Sequence, residues 1–386
     1  MTVEALPLCG NEMVRALYMH IPFCFHKCHY CDFYSIVDTR DRQDAFTVRL
    51  IDELATASGR LTTPLESVFV GGGTPTLLRV DLWRRLLDAF NEYVPRTVEC
   101  EFTVEANPET VTPELASVLA AGEVHRVSLG AQSFNTTHLK TLERWHDPAS
   151  VARSVELFRA AGIDNINLDL IFAIPGQTLD DWLADLDAAL ALEPVHVSCY
   201  GLMYEPNTPL TKKMQRGDIE PADEDREAAM YEATRDRLAR AGFEHYEISN
   251  WAKPGRRCRH NLAYWRNENW WPIGPSASGH VEGVRWKNAP RLGAYLNSHA
   301  WPGITDVEML DDDGRIGETL MLGLRLLDGI ENKRFDVLLS RGDRSDERRC
   351  ALDQFIADGL LERGTMHTRL TEHGLMLADS VLSAFI

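Results

Sequence analysis

The sequence predicts an α/β architecture: a partial (β/α)6 barrel followed by a smaller α+β domain of winged-helix-like pattern. Three observations carry this. Between residues 15 and 245, short β-rich runs alternate with longer amphipathic stretches, the signature of repeated β-α units around a parallel sheet. Polar and glycine-rich residues gather just after those runs, on the edge where parallel α/β folds bind ligands. From residue 306 the chain reads as helical, and 332–340, 346–358, 360–371 and 374–385 read as helix, helix, hairpin and helix.

The strand-like runs are 15–21, 67–70, 100–105, 126–129, 166–172 and 196–201. The helical stretches are 42–57, 81–93, 113–121, 148–161, 179–192 and 222–241. Thr112-Pro113 and Thr178 are helix-start signals, while Gly162 and Gly242 stand where helices stop. Six units fall short of a closed eight-stranded barrel, so an open or partial one is expected. Residues 1–245 form this barrel. Residues 246–305 are a second region holding six of the nine tryptophans, and residues 306–386 a third. Within the second, a small-residue loop at 274–280 leads into 281–287, expected as a hairpin arm beside the site.

Composition narrows the function. The chain has 386 residues and a net charge of −18, which argues against a general nucleic-acid binder, because phosphate contacts need a basic face. The winged-helix-like part carries eight acidic and eight basic residues between Glu331 and Arg369. It reads as a cap on the barrel or a partner-docking module. No run approaches the roughly 18 apolar residues of a spanning helix. The first fifteen residues contain Glu4 and Glu12 and lack the apolar core of a secretory signal. A cytoplasmic setting with reduced thiols is therefore expected. Of eight cysteines, Cys9, Cys100, Cys199, Cys258 and Cys350 are scattered and expected to be buried.

The other three, Cys24, Cys28 and Cys31, stand at C-x3-C-x2-C spacing after the first strand. Three thiolates are one short of a closed zinc site or a fully ligated [4Fe–4S] cube. A cube held by three cysteines leaves one iron open to a small chelator with an amine and a carboxylate. A zinc site completed by His20, His26 or His29 is the alternative on spacing alone. The same strand edge carries Gly71-Gly72-Gly73-Thr74-Pro75, Glu105-Ala106-Asn107-Pro108, Gln132-Ser133, and Asp169 before Ile174-Pro175-Gly176-Gln177. The glycine run lacks the lysine of a nucleotide P-loop. Its glycines let backbone approach a ligand and offer N–H groups to a carboxylate. A lone Glu or Asp at a strand end is ordinarily a cap or ion-pair partner; Glu105 and Asp169 stand out by sharing the cysteine edge.

Together these residues resemble the radical S-adenosylmethionine (SAM) superfamily. More narrowly, Y-x-H-I-P-F-C, G-G-G-T-P-T, E-A-N-P, L-G-A-Q-S-F-N and D-L-I-x-x-I-P-G-Q-T are similar to its coproporphyrinogen dehydrogenase branch. The resemblance covers most of the chain with the motifs in order. It implies that Cys24, Cys28 and Cys31 hold the cluster, that Tyr18 lies against the cofactor and that Tyr30 offers backbone contact. It further implies that Gly72, Gly73 and Thr74 take the methionine part of SAM, while Glu105, Gln132, Arg144 and Asp169 contact its ribose, carboxylate or sulfonium region. The branch's dehydrogenases carry a further cysteine, C-x3-C-x2-C-x-C, where this chain has Phe33. Phenylalanine neither ligates iron nor relays a proton. That substitution resembles the heme chaperones of the HemW type.

A second motif points the same way. His260-Asn261-Leu262-Ala263-Tyr264-Trp265 matches the H-N-x-x-Y-W signature attributed to heme binding in those chaperones. An axial donor beside a flat apolar wall suits heme. A tryptophan-rich core with His260 hydrogen-bonded inside it is the plainer reading, and Cys258 is a rival thiolate ligand. The resemblance thus implies a chaperone that binds heme and delivers it to membrane-associated respiratory hemoproteins. The cluster and exchangeable SAM would organise the protein, homodimerisation stays open, and no catalytic residue is assigned. The alternative is an oxygen-independent coproporphyrinogen III dehydrogenase working through a 5′-deoxyadenosyl radical; a radical enzyme acting on another substrate is a third reading.

Overall fold

The computed structural model describes residues 1–10 and 12–386. Strands β1 (Ala16–Ile21), β2 (Leu65–Gly72), β3 (Arg96–Ala106), β4 (Arg126–Gln132), β5 (Asn165–Phe172) and β6 (His196–Gly201) lie side by side in chain order. All five pairings among them are parallel. The helices following them are α1 (Gln43–Ala57), α2 (Val80–Tyr93), α3 (Pro113–Ala121), α4 (Thr136–Thr141), α5 (Pro148–Ala160), α6 (Leu179–Ala191), α7 (Pro209–Gln215) and α8 (Glu224–Arg240). The predicted strands and helices match these within a few residues.

Local chemistry sets the boundaries. The Thr112 side chain accepts from Leu115 N–H at the start of α3, and Thr178 with Asp181 forms a capping box on α6. Gly162 and Gly242 follow α5 and α8 at φ +94° and +76°, in the left-handed region where a helix stops without steric cost to glycine. Alternation along the strands sorts the two faces. Val127 and Leu129 of β4, and Leu168 and Leu170 of β5, join the core shared with Leu50, Trp83 and Trp182 of the helices. The intervening Arg126, Ser128, Asn167 and Asp169 line the barrel interior.

Beyond β6 the sheet adds β7 (Glu244–Glu247) and β8 (Asn250–Ala252), antiparallel. Helix α9 (Arg259–Trp265) then crosses back to pack against β2. On the far edge, β9 (Trp270–Ile273) joins β1 in parallel, and β10 (Ser278–Val281), β11 (Val284–Asn288) and β12 (Ile304–Met309) extend the sheet antiparallel, with α10 (Leu292–Leu296) inserted. One correction follows. The segment expected as a hairpin arm beside the site is indeed a hairpin, β10–β11, but it extends the sheet, and none of its residues lines the barrel cavity. Tryptophans hold it there: Trp271 packs edge-on to Trp286 at 5.5 Å and against Trp301 at 5.7 Å.

The remainder comprises α11 (Asp312–Leu324), β13 (Ile330–Glu331), α12 (Asn332–Leu339), α13 (Ser345–Ala357), β14 (Leu361–Arg363), β15 (His367–Leu370), α14 (Glu372–Met376) and α15 (Ala378–Ser383). The helix, helix, hairpin, helix order expected over 332–385 is present as α12, α13, β14–β15 and α14–α15, whereas the helical start expected from 306 is strand β12 to Met309 and helix only from Asp312. A separate core forms around Leu320, Phe335, Val381 and Phe385. Buried Arg348 ties it together through Asp313 Oδ1 at 2.7 Å and the Phe385 carbonyl at 3.0 Å. Arg325 covers the Trp265 ring at 4.6 Å, joining this part to α9. No helix is long and apolar enough to cross a membrane among the described residues. Of the scattered cysteines, Cys100, Cys199 and Cys258 are buried as expected, whereas Cys9 and Cys350 are exposed. Cys350 lies on α13 two residues from buried Arg348 and from buried Leu352, so half a turn places it on the outer face.

Candidate cofactor site in the barrel

A cavity of about 900 Å³ opens inside the barrel at the C-terminal ends of the strands. The cysteine loop forms one wall. A bridge between Phe23 and Ile36 closes the loop at its base, with Cys24 N–H donating to the Ile36 carbonyl at 2.9 Å. Its middle is fastened by His29 N–H to the Leu142 carbonyl (3.3 Å) and Leu210 N–H to the His29 carbonyl (3.0 Å). The loop thereby holds Cys24, Cys28 and Cys31 on the cavity wall, and all three are free thiols. Burial pushes the Cys24 thiol up and that of Cys31 to about 11, and a coordinated metal would favour their thiolates.

Three sulfurs lining one cavity wall, with open space before them, suit an iron–sulfur cube. Of the histidines of the zinc alternative, His20 and His29 are engaged elsewhere, whereas His26 lines the cavity with Nε2 buried and without a partner among the described residues. His20 is buried against the Tyr34 carbonyl (2.8 Å) and the Tyr18 hydroxyl (3.2 Å). His26 stacks on Trp145 at 4.2 Å, and His29 Nδ1 lies 3.2 Å from Lys213 Nζ. Among the described residues no three His, Cys, Asp or Glu side chains converge on a single-ion site.

Opposite the loop stands the glycine turn, and its packing revises the reason for its glycines. Gly72 has φ +110°, and a Cβ there would fall 2.5 Å from the His20 ring. A Cβ on Gly73 would fall 2.7 Å from the Phe23 carbonyl oxygen. The glycines let β2 run tight beneath the cysteine loop. Their N–H groups are taken within the chain: Gly72 donates to Glu105 Oε2 (3.0 Å), Gly73 to the Ile21 carbonyl (2.8 Å) and Thr74 to the Phe23 carbonyl (2.7 Å). The expected offer of N–H groups to a ligand carboxylate is not made. The Thr74 hydroxyl instead faces Cys24 Sγ at 3.6 Å.

Arg144 is the residue arranged for a carboxylate. Nη2 donates to the Gly130 carbonyl at 2.9 Å, Nη1 points to Cys28 Sγ at 3.7 Å, and Nε is buried without a partner. Gln132 reaches the cavity from a bulge in β4 where its own φ is +63°, a conformation non-glycine residues adopt at a cost. Asp169 accepts from Asn167 Nδ2 (2.8 Å) and Ser128 Oγ (2.9 Å). Burial first, then the nearby Asp169 charge, raises the Glu105 carboxyl to about 7. Tyr30 also lines the cavity and packs beside Leu142, Ile171 and Leu202.

The structure therefore gathers every predicted site residue on one cavity except Tyr18 and His260. Those two lie together below Phe69, with ring centroids 6.5 Å apart. His260 is 1% exposed, and both of its ring nitrogens are engaged, Nδ1 with Ser67 Oγ at 3.0 Å and Nε2 with Tyr264 Oη at 2.9 Å. Helix α9 closes the base of the barrel, and Asn261 is its residue that lines the cavity. Cys258 is buried beside Glu101. The hydrogen-bonded core reading describes His260 as it stands. The flat wall expected beside it is absent at Trp265, whose face is covered by Arg325.

Sequence reasoning missed Arg126, Ser128, Asn167 and Ser198, all of which line the cavity. Their signal is polar residues two apart within otherwise apolar strands, as in Arg126-Val127-Ser128-Leu129.

Comparison with known proteins places the chain among its relatives. Residues 18–189 match the radical SAM superfamily and residues 310–377 match the HemN C-terminal domain. A curated relative from Lactococcus lactis, described as heme chaperone HemW, is 36% identical over 96% of this chain and 97% of its own length. A Mycobacterium tuberculosis relative of the same description is 36% identical over 96% of this chain and 94% of its own. The solved structure of coproporphyrinogen III oxidase (HemN) from Escherichia coli superposes with a TM-score of 0.84 at 19% identity, covering 99% of this chain and 92% of that one. At that identity the likeness speaks for the fold alone.

Proposed function

We propose, from the premise that the chain belongs to the radical SAM superfamily and within it to the HemW heme chaperone family, that it binds heme and delivers it to respiratory hemoproteins. Near-full-length similarity to curated heme chaperones at 36% identity carries this reading. In it Cys24, Cys28 and Cys31 would hold a [4Fe–4S] cluster, and SAM would bind beside it in the cavity. Arg144 receives the carboxylate with its unpartnered Nε, while Glu105, Gln132 and Asp169 take the sugar side. When bound, such a cluster supplies one electron for cleaving SAM.

The chain's own residues supply the rest. The loop closed by Phe23 and Ile36 fixes the thiols, the packed glycine turn holds Thr74 against Cys24, and the buried strand faces limit water. His260 is the proposed axial donor to heme iron. It is neutral at physiological pH, because burial lowers its imidazole to about 3. The Tyr264 hydroxyl must leave Nε2 before iron binds there. A cytoplasmic location and a homodimeric state fit a protein of this kind.

Phe33 weighs against the dehydrogenase alternative. It sits 64% exposed on the cavity rim, where a thiol would be required. The deciding experiment is heme titration of the reconstituted protein followed by transfer to an apo-hemoprotein, paired with an anaerobic assay on coproporphyrinogen III and SAM. Saturable heme binding with transfer is expected. Protoporphyrinogen formation at enzymatic rates would overturn the chaperone reading.

A further inference from the structure

We propose that the base of the barrel cavity is a carboxylate subsite, with Arg126 as its counter-ion, and that it takes an apolar molecule carrying one carboxylate. This goes beyond the heme reading and does not depend on it.

Arg126 is 2% exposed and begins β4. Its guanidinium lines the cavity, makes no ion pair or side-chain hydrogen bond among the described residues, and leaves Nε buried without a partner. Burial disfavours this charge, and the nearby Glu101 and Asp169 offset that through space without a hydrogen-bonded contact to the guanidinium. Its acidic neighbours are committed elsewhere. Glu101 Oε1 accepts from Arg259 N–H at 2.9 Å and from Cys258 Sγ at 3.4 Å, while Asp169 is satisfied by Asn167 and Ser128.

Depth places Arg126 beyond the residues assigned to SAM. Ser128 is in register with Glu105, and Arg126 with Thr103. One strand step of two residues, about 7 Å, therefore lies between the Glu105 level and Arg126. Access comes from the cysteine-lined mouth of the same cavity, since α9 closes the base. Charge selects the ligand class. One guanidinium matches one carboxylate in a fixed fork of donors. A phosphate dianion would bring excess charge within reach of Asp169 and Glu105. Phe69, Ile171 and Leu202 on the cavity walls suit an apolar body above the carboxylate.

The test uses the full-length protein reconstituted with iron and sulfide and saturated with SAM, so that Arg144 is occupied. Sodium propionate and its neutral isostere propionamide are titrated at constant ionic strength into wild type, Arg126→Gln and Arg126→Lys. Wild type is expected to prefer propionate by about tenfold or more. Arg126→Gln loses the preference, and Arg126→Lys keeps part of it. Thermal melts without propionate separate this from a structural role: removing an unpaired buried charge leaves the melting temperature of Arg126→Gln unchanged or higher. Equal affinity for the two probes in wild type, a preference surviving in Arg126→Gln, or a lowered melting temperature in that variant overturns the proposal. The heme reading stands or falls separately, on the titration described above.

Discussion

His260 Nε2 lies 2.9 Å from the hydroxyl of Tyr264, one turn further along α9. The pair is sealed below Phe69 at the base of the barrel, and it governs whether His260 can reach iron. Tyr264→Phe frees Nε2 and is expected to raise heme affinity several-fold. His260→Ala is expected to lower affinity and shift the Soret band. It also strands the Ser67 and Tyr264 hydroxyls, costing about 1–3 kcal/mol in stability. An unchanged Soret band and affinity in His260→Ala would remove this residue as a ligand.

Glu105 gives the metal-free protein a pH dependence of defined sign. Its carboxyl is raised from 4.5 to about 7, chiefly by burial and then by Asp169. A group whose folded value exceeds its unfolded one contributes stability that is full below about 4.5 and is lost as pH rises through about 7. Glu53, buried beside Tyr295 and likewise raised to about 7 by burial, contributes with the same sign. Thermal melts from pH 5 to 8 should show the stability of wild type relative to Glu105→Gln falling as pH rises, by on the order of 2 kcal/mol. Parallel profiles would contradict the assignment.

Cysteine substitutions separate the cavity thiols from the rest. Cys24→Ser, Cys28→Ser and Cys31→Ser are each expected to abolish the visible absorption and bound sulfide gained on anaerobic reconstitution. Cys9→Ser and Cys350→Ser, which alter exposed positions, should retain both. Full iron and sulfide content in any of the first three would count against a cluster held there.

Gly73→Ala tests how the cysteine loop is seated. The added methyl meets backbone of Pro22 and Phe23 at 2.7–2.9 Å, which cannot yield as a flexible side chain would. A loss of about 1–3 kcal/mol from overpacking, with reduced cluster content, is expected from melting and iron assays. Gly176→Ala is the contrasting control: no neighbour lies within 4 Å of its Cβ position, so only the strain of φ +80° remains and cluster content should hold.

The alternation of β and α segments, their boundaries and the C-x3-C-x2-C loop were legible in the sequence because each is local. Hydrophobic period, capping threonines and stop glycines act within a few residues of themselves. The strand-edge site was legible too, because a parallel sheet with helical crossovers necessarily brings the ends of successive strands to one side. Other features depend on contacts between distant segments. The glycine turn looked like a donor of N–H groups until the Ile21 and Phe23 carbonyls were seen to take them. The 274–287 segment read as a hairpin arm beside the site, but the pairing of Trp270 with Ala16 draws the hairpin to the sheet edge. Only the fold shows that His260, some 190 residues from Ser67, is locked against it, and that Arg126 is left facing the cavity without a partner. Sequence by itself determined the elements, the cysteine set and the family resemblance, since these rest on residue identity and near-neighbour spacing. Tertiary structure decided which donors were already satisfied, because that depends on what long-range packing brings within hydrogen-bonding distance.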